Sequence, residues 1–322
     1  RAEQNNLGLY PHLLAIQQIA NYSLLQAKVH FVLDENDQAC EAILFTLKLA
    51  NTLSREPVTH SILTKSTVVR MALEVLREGL SEQKISDVYL THFQKYLTQI
   101  DFWNDLYLVV LGSRAMVNAQ LMSHPDATRA AIIDCNPVFP NMMAWLPFFK
   151  YYRPIGLYYK DLLEYNLMTD ALLVSMDRED KHFVRRELED AFERLQFCRE
   201  QNEYYSWHWA VKLFAPEYEK IFAELAYTRY VIVASEAACG MELYYREKRR
   251  IPFELGALLN FLNLNDFPRD WVNDRPPQIS LHLDDTGYDL RNNGWDRKDD
   301  QGKPGETIFS GDWVWSIDTI RQ

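Results

Sequence analysis

Long apolar runs are missing from this sequence. A membrane-spanning helix needs about 18 uninterrupted apolar residues, and the best stretches, 106–111 and 138–149, fall short, the second being broken by Pro140 and Pro147. Cysteine is scarce and scattered: Cys40, Cys135, Cys198 and Cys239 form no Cys-x-x-Cys pair. That excludes a disulfide framework or a zinc knuckle and leaves buried thiols, or one long-range disulfide. Positive charge is also in short supply, 34 Lys and Arg against 45 Asp and Glu for a net charge of -11. A nucleic-acid surface needs clustered cations to displace phosphate counterions, so that partner class is excluded. The one basic run, Arg246, Lys248, Arg249 and Arg250, suits a helix C-terminus, where cations meet the carbonyl dipole.

Catalytic signatures are absent as well. The chain has no Gly-x-Ser-x-Gly elbow, no Gly-x-x-x-x-Gly-Lys phosphate loop, no Gly-x-Gly-x-x-Gly and no His-Glu-x-x-His. Ser81-Glu82-Gln83-Lys84 fits Ser-x-x-Lys, but Val88 follows Ser86-Asp87 where Asn is required, and no Lys-Thr-Gly exists. Ser81 therefore reads as the N-cap of a helix over 82–97. The eight histidines include no pair four residues apart. Glu187, Glu189 and Asp190, interleaved with Arg185, Arg186 and Arg194, read as a solvated helix face rather than as an acid–base pair. No catalytic residue is assigned.

What is present is a globular composition, 48% apolar and 25% charged over 322 residues, enough for a large buried core. Helical periodicity dominates the first two thirds. Leu13, Ile16, Ile19 and Ala20 mark one apolar face, and Leu24, Leu25, Ala27, Val29 and Phe31 are read as a second helix. After the turn at Asp34 to Asp37 the pattern resumes through Ala39, Ile43 and Leu47, a helical hairpin whose small turn residues weakly resemble a tetratricopeptide unit. No constant 34-residue period follows, so the expectation is an irregular helical-hairpin stack. Pro57 punctuates the chain, a helix over 62–76 is expected to stop at Gly79, and others are expected over 106–122, 155–176, 181–200 and 218–249. The prolines of 136–154 mark an irregular connection. The pattern then changes: Asp, Asn and Gly turns separate short aromatic runs at 279–283, 288–290 and 313–317, a small antiparallel β module. The fold class expected is mainly α with a C-terminal antiparallel β module. The expected domains are a helical body over 1–215, then a long helix with the β module over 216–322.

The stretch SREPVTHSILTKSTVVRMALEVLREGLSEQKISDVYLTHFQKYL, together with ACGMELYYREKRRIPFELGALL and the closing DRKDDQGKPGE and GDWVW, resembles large families of exported planctomycete and verrucomicrobial proteins. The resemblance implies a membrane anchor upstream, a helical body and a small C-terminal module, and carries no established activity. The C-terminal part is similar to the soluble domain of type II secretion pseudopilins, in which a long helix ending in Pro leads into strands and an acidic calcium loop. Here Tyr244 or Tyr245 precedes Pro252, and Arg249-Arg250-Ile251-Pro252 stands where those proteins carry Gly-Arg-Tyr-Pro. The chain begins at Arg1 without a leader pattern, so a targeting or anchoring segment is expected upstream. The implied location is extracytoplasmic, periplasmic or membrane-anchored.

The acidic loop supplies the one metal reading. Asp296, Asp299 and Asp300, with Asn292, Asn293, Glu306 and nearby glycines, offer the oxygen donors calcium requires, outside EF-hand spacing. Solvated turn chemistry uses the same residues. Aromatics cluster at 148–165 and 204–218, serving as core, protein interface or ligand groove. The function expected is a non-enzymatic extracytoplasmic binding or scaffold protein, with a protein or extracellular polymer as ligand. The alternative is a hydrolase on glycans or peptides whose site converges from separate helices. A broad exposed apolar patch favours binding, and a deep pocket with facing carboxylates favours the enzyme.

Overall fold

The computed structural model describes residues 10–123, 155–200, 215–252, 254–262, 268–282 and 287–318. Their helices are α1 (Pro11–Val32), α2 (Asn36–Asn51), α3 (Thr59–Ser81), α4 (Asp87–Leu97), α5 (Phe102–Ser123), α6 (Ile155–Val174), α7 (Arg185–Glu200), α8 (Tyr218–Lys248) and α9 (Leu255–Leu262). Three strands follow, β1 (Gln278–Leu281), β2 (Gly287–Asn292) and β3 (Trp313–Asp318), in one antiparallel sheet ordered β1-β2-β3. The chain is mainly α with a small C-terminal antiparallel sheet.

It divides into two compact units, one of 1–56, 60–105 and 220–322, the other of 57–59 and 106–219. The first unit takes in the N-terminal helices as well as the C-terminal module.

In the first unit α1 is a single helix rather than two, opened by Pro11 at the position where a missing N–H costs nothing. Leu13, Ala20, Leu24, Ala27 and Phe31 point inward against Ala39, Cys40, Ile43, Leu47 and Ala50 of α2. Small residues on both helices allow close approach, and Ser23 Oγ donates to the Ala42 carbonyl at 3.1 Å. Asp34, with φ 59°, makes the left-handed turn between them.

The centre of this unit is α3 and α8. Ile62, Val68, Val69, Leu73, Val75 and Leu76 of α3, and Leu225, Tyr230, Ile232, Ala234, Ala238 and Met241 of α8, are all buried; α3 keeps a narrow polar stripe through His60, Glu74 and Glu78, whereas α8 is buried without a break from Tyr230 to Glu242 and has no solvent face there. Ser66 and Thr228 hydroxyls meet at 2.6 Å. Gly240 lies under α9, where an added Cβ would sit 2.8 Å from Leu262 Cδ1, and Tyr244 meets Phe261 edge-on at 5.2 Å.

Gly79 does not end α3, contrary to the sequence expectation. The Phe31 ring lies 2.6 Å from where a Cβ would be, so this glycine serves packing, and the helix continues to Ser81. The reversal falls at Gln83, φ 55°, and α4 starts six residues after α3 ends. Ser81 is thus the last residue of α3 and not a cap of α4. Ser86 occupies the cap position of α4 with no side-chain cap bond.

In the second unit Tyr165, Met168 and Leu172 of α6 and Leu188, Ala191 and Leu195 of α7 form the apolar faces. Arg114 donates Nε to Asn166 Oδ1 at 2.7 Å and pairs with Asp170. The helix expected from 181 begins at Arg185 instead, because Met176 and Phe183 form an antiparallel bridge. Val184 N donates to Ser175 O at 2.8 Å, Asp177 N to His182 O at 3.1 Å, and Lys181 adopts φ 52°. Residues 175–184 are therefore a tight hairpin. Cys135 and the aromatic stretches 148–152 and 204–214 lie outside the described residues.

Candidate functional site

The C-terminal loop is organised by buried carboxylates that flank it. Asp312, 3% exposed, accepts the Asp300 N–H at 3.1 Å and the Gly302 N–H at 2.5 Å. Asp270, 2% exposed, accepts the N–H groups of Val272 at 2.6 Å and Asn273 at 2.9 Å and is bonded by the Asn292 amide. Burial pushes the Asp270 carboxyl up, and these bonds offset only part of that push. Gly294, Gly302 and Gly311 have positive φ, and at Gly294 an added Cβ would meet the Gly311 carbonyl at 2.2 Å.

Of the residues read as calcium ligands, Asp296 and Asp299 each close their own turn, accepting Lys298 N–H at 3.0 Å and Gln301 N–H at 2.9 Å. Asp300 contributes its backbone N–H to Asp312. Among the described residues these three do not converge into a cluster of ligand atoms within 4.8 Å of one another. Sequence reasoning missed Asp270 and Asp312. One lies between Arg269 and Trp271 and the other between Gly311 and Trp313, where an isolated Asp looks like any turn residue.

The module is fastened to α8 by aromatics. Tyr230 donates its hydroxyl to the Leu290 carbonyl, and Trp313 packs on Tyr227 at 5.5 Å and Tyr230 at 5.7 Å. Burial pushes the Tyr230 hydroxyl pKa well up, so it remains a donor. Trp103 and Trp271 meet edge-on at 4.8 Å.

The outward side of α1 carries a different kind of feature. Ala15, Gln18, Tyr22, Leu25, Val29 and Val32 are spaced alternately three and four apart and all are exposed. Tyr22 is 65%, Leu25 61% and Val32 78% exposed. Leu14, Ile19 and Leu33 flank this seam and are also exposed. Such spacing is the seam of a helix that packs lengthwise against another helix. The sequence groups Leu25 and Val29 with Leu24, Ala27 and Phe31 as one apolar series; in the structure Leu24, Ala27 and Phe31 are buried and Leu25 and Val29 are exposed.

Where α1 turns into α2, α3 into α4 and α8 ends, an open polar groove of about 720 Å³ is lined by residues including Asn36, Asp37, Gln38, Lys84, Arg246 and Arg249. Lys84 Nζ caps the Phe31 carbonyl at 2.6 Å and pairs with Asp34 and Glu82. Arg246 holds Glu242 at 2.9 Å and Asp87 at 2.6 Å. Most of its charges are thus committed within the fold.

Two further features are buried in this unit. Glu236 is pushed up to about 7 by burial, against the opposing pull of Arg229. Cys40 is pushed up to about 12 by burial and the nearby Asp37, and Cys239 further still. These two are free thiols, buried and protonated, which makes them poor nucleophiles.

In the second unit the 175–184 hairpin gathers Asp177, Asp180 and His182, whose ligand atoms all lie within 4.8 Å of one another. Asp177 Oδ1 accepts the Glu179 and Asp180 N–H groups at 2.9 and 3.2 Å, which holds its carboxyl below the usual range. His182 Nδ1 is buried without a hydrogen-bond partner.

The chain matches no protein-family model, no curated protein and no solved structure.

Proposed function

We propose that this chain is a non-enzymatic extracytoplasmic scaffold or binding protein, and that it assembles by pairing the outward seam of α1 with the same seam of a second copy. The exposed heptad-spaced stripe carries this reading. An exposed apolar stripe from Tyr22 to Val32 on a 22-residue helix costs solubility unless another apolar surface covers it. The spacing selects a helix as that surface, and the composition selects the same helix. The positions beside the seam are Leu14, Ile19, Asn21, Gln26, Lys28 and Leu33, so two copies meet with almost no like-charge repulsion. Lys28 is already paired with Glu78 at 2.7 Å.

The extracytoplasmic location and the pseudopilin-like character of the C-terminal module rest on the motifs that follow Ala238 and on the Asp, Asn and Gly loop.

Sedimentation equilibrium of the full chain tests the assembly. A dimer at micromolar concentration that dissociates in L25K/V29K, with helical circular dichroism unchanged, is the expected result. A monomeric wild-type chain, or a dimer that persists in the variant, overturns it.

A further inference from the structure

We propose that the 175–184 hairpin is a binding site for one borderline first-row divalent cation, of which zinc is the probe, coordinated by His182 Nδ1 and one carboxylate oxygen each from Asp177 and Asp180. The argument begins with the backbone. The Met176–Phe183 bridge makes Asp177 and His182 cross-strand neighbours, and side chains directly opposite on an antiparallel pair project to the same face. The four-residue loop between them, with Lys181 in the left-handed region, brings Asp180 back toward that face. Three potential ligands are thereby held on one tight turn, so little chain entropy remains to be lost on binding.

The donor chemistry is that of a borderline ion. One imidazole nitrogen with two carboxylates is a common set for zinc and its first-row neighbours and leaves a position for water. Calcium instead takes six to eight oxygens. Metal bonds of about 2 Å place ligand atoms about 3.3 Å apart. The present ligand atoms lie within 4.8 Å of one another, so a small closing movement of the exposed Asp180 side chain and of His182 is what binding requires. Asp177 already spends Oδ1 on two N–H groups, which orients the carboxylate and leaves Oδ2 as the ligand.

The second observation is independent of the carboxylates. His182 Nδ1 is shut off from water and has no hydrogen-bond partner, and a buried polar atom left unpaired is costly. A cation at this nitrogen supplies the missing partner and leaves the proton on Nε2. Nothing in this proposal depends on α1 or on self-association.

The test is competition of chelator-treated full chain against a chromophoric zinc indicator, together with the visible spectrum of the cobalt-substituted protein. One equivalent of Zn²⁺ is expected, with cobalt bands diagnostic of nitrogen and oxygen ligands and no competition from millimolar Ca²⁺ or Mg²⁺. D180N and H182Q are each expected to weaken zinc by roughly tenfold or more, since losing even an outer-shell partner costs that much. The Asp180 side chain is not needed by the turn, which uses its backbone N–H, so D180N reports on metal rather than on folding. H282Q serves as control, because His282 lies beside Asp289 at 3.0 Å and Asp318 at 3.5 Å. Failure to bind zinc overturns the proposal. So does an affinity unchanged in D180N and H182Q, or one lost in H282Q.

Discussion

Lys65 Nζ lies 2.5 Å from Asp105 Oδ2 in the interior of the first unit, with side-chain exposures of 1% and 10%. The ammonium also donates to Ser54 Oγ at 2.8 Å and sits 4.5 Å from the centre of the Phe102 ring. The lysine is thus fully engaged by a carboxylate, a hydroxyl and a π face. Deleting one member strands the other, and K65M is expected to destabilise by about 3–5 kcal/mol. Replacing both, as K65M/D105L, is expected to recover most of that loss. Urea denaturation of the three proteins measures it.

Glu236 gives a pH signature. Its carboxyl is pushed up from 4.5 to about 7 in the folded chain, so between those values the folded protein holds a proton that the unfolded protein has released. Stability must fall as pH rises through this window. The stabilisation is complete below about 4.5 and gone above about 7. Relative to E236Q, which does not titrate there, wild-type protein is expected to lose about 3 kcal/mol between pH 4.5 and 8. A constant difference between the two across that range would contradict it.

The C-terminal loop makes a contrast between neighbouring acids. D312A removes the acceptor of the Asp300 and Gly302 N–H groups and is expected to cost about 1.5–3 kcal/mol, the range for hydrogen bonds to a charged acceptor. D296A and D299A lose one local, solvent-reachable turn bond each and are expected to cost about 0.5 kcal/mol. Thermal unfolding ranks them. The same assay with added Ca²⁺ tests the calcium expectation for this loop, since an ion bound to the folded state raises the melting temperature with its concentration.

Val233 and Ala237, 1% and 0% exposed on α8, have no route to water. V233D or A237D buries an unpaired charge, and a sharp fall in melting temperature is expected for both. Unchanged melting curves would mean that α8 is not enclosed.

The parts of the fold read correctly from sequence were those where local and global demands coincide. Tyr218 to Lys248 and Pro252 announced α8 and its end, and the alternation through Trp313, Trp315 and Ile317 announced β3. Errors came where tertiary packing chose among equal local options. Gly79 carries the signature of a helix stop, yet Phe31 holds it inside a helix. Lys181 sits in a charge pattern suited to helix, yet it turns a hairpin. At the site, Asp296 and Asp299 stood out by composition, whereas Asp312 and His182 acquire their roles from groups brought to them by folding.

The first unit is assembled from the two ends of the chain, with 106–219 belonging to the other. During synthesis, therefore, α3 emerges with its apolar sides uncovered and waits for more than a hundred further residues before α8 can enclose it. Contacts of such sequence separation form slowly, and an incomplete chain exposes surface that aggregates. A stop codon after 219 would leave a partial core lacking its central helix.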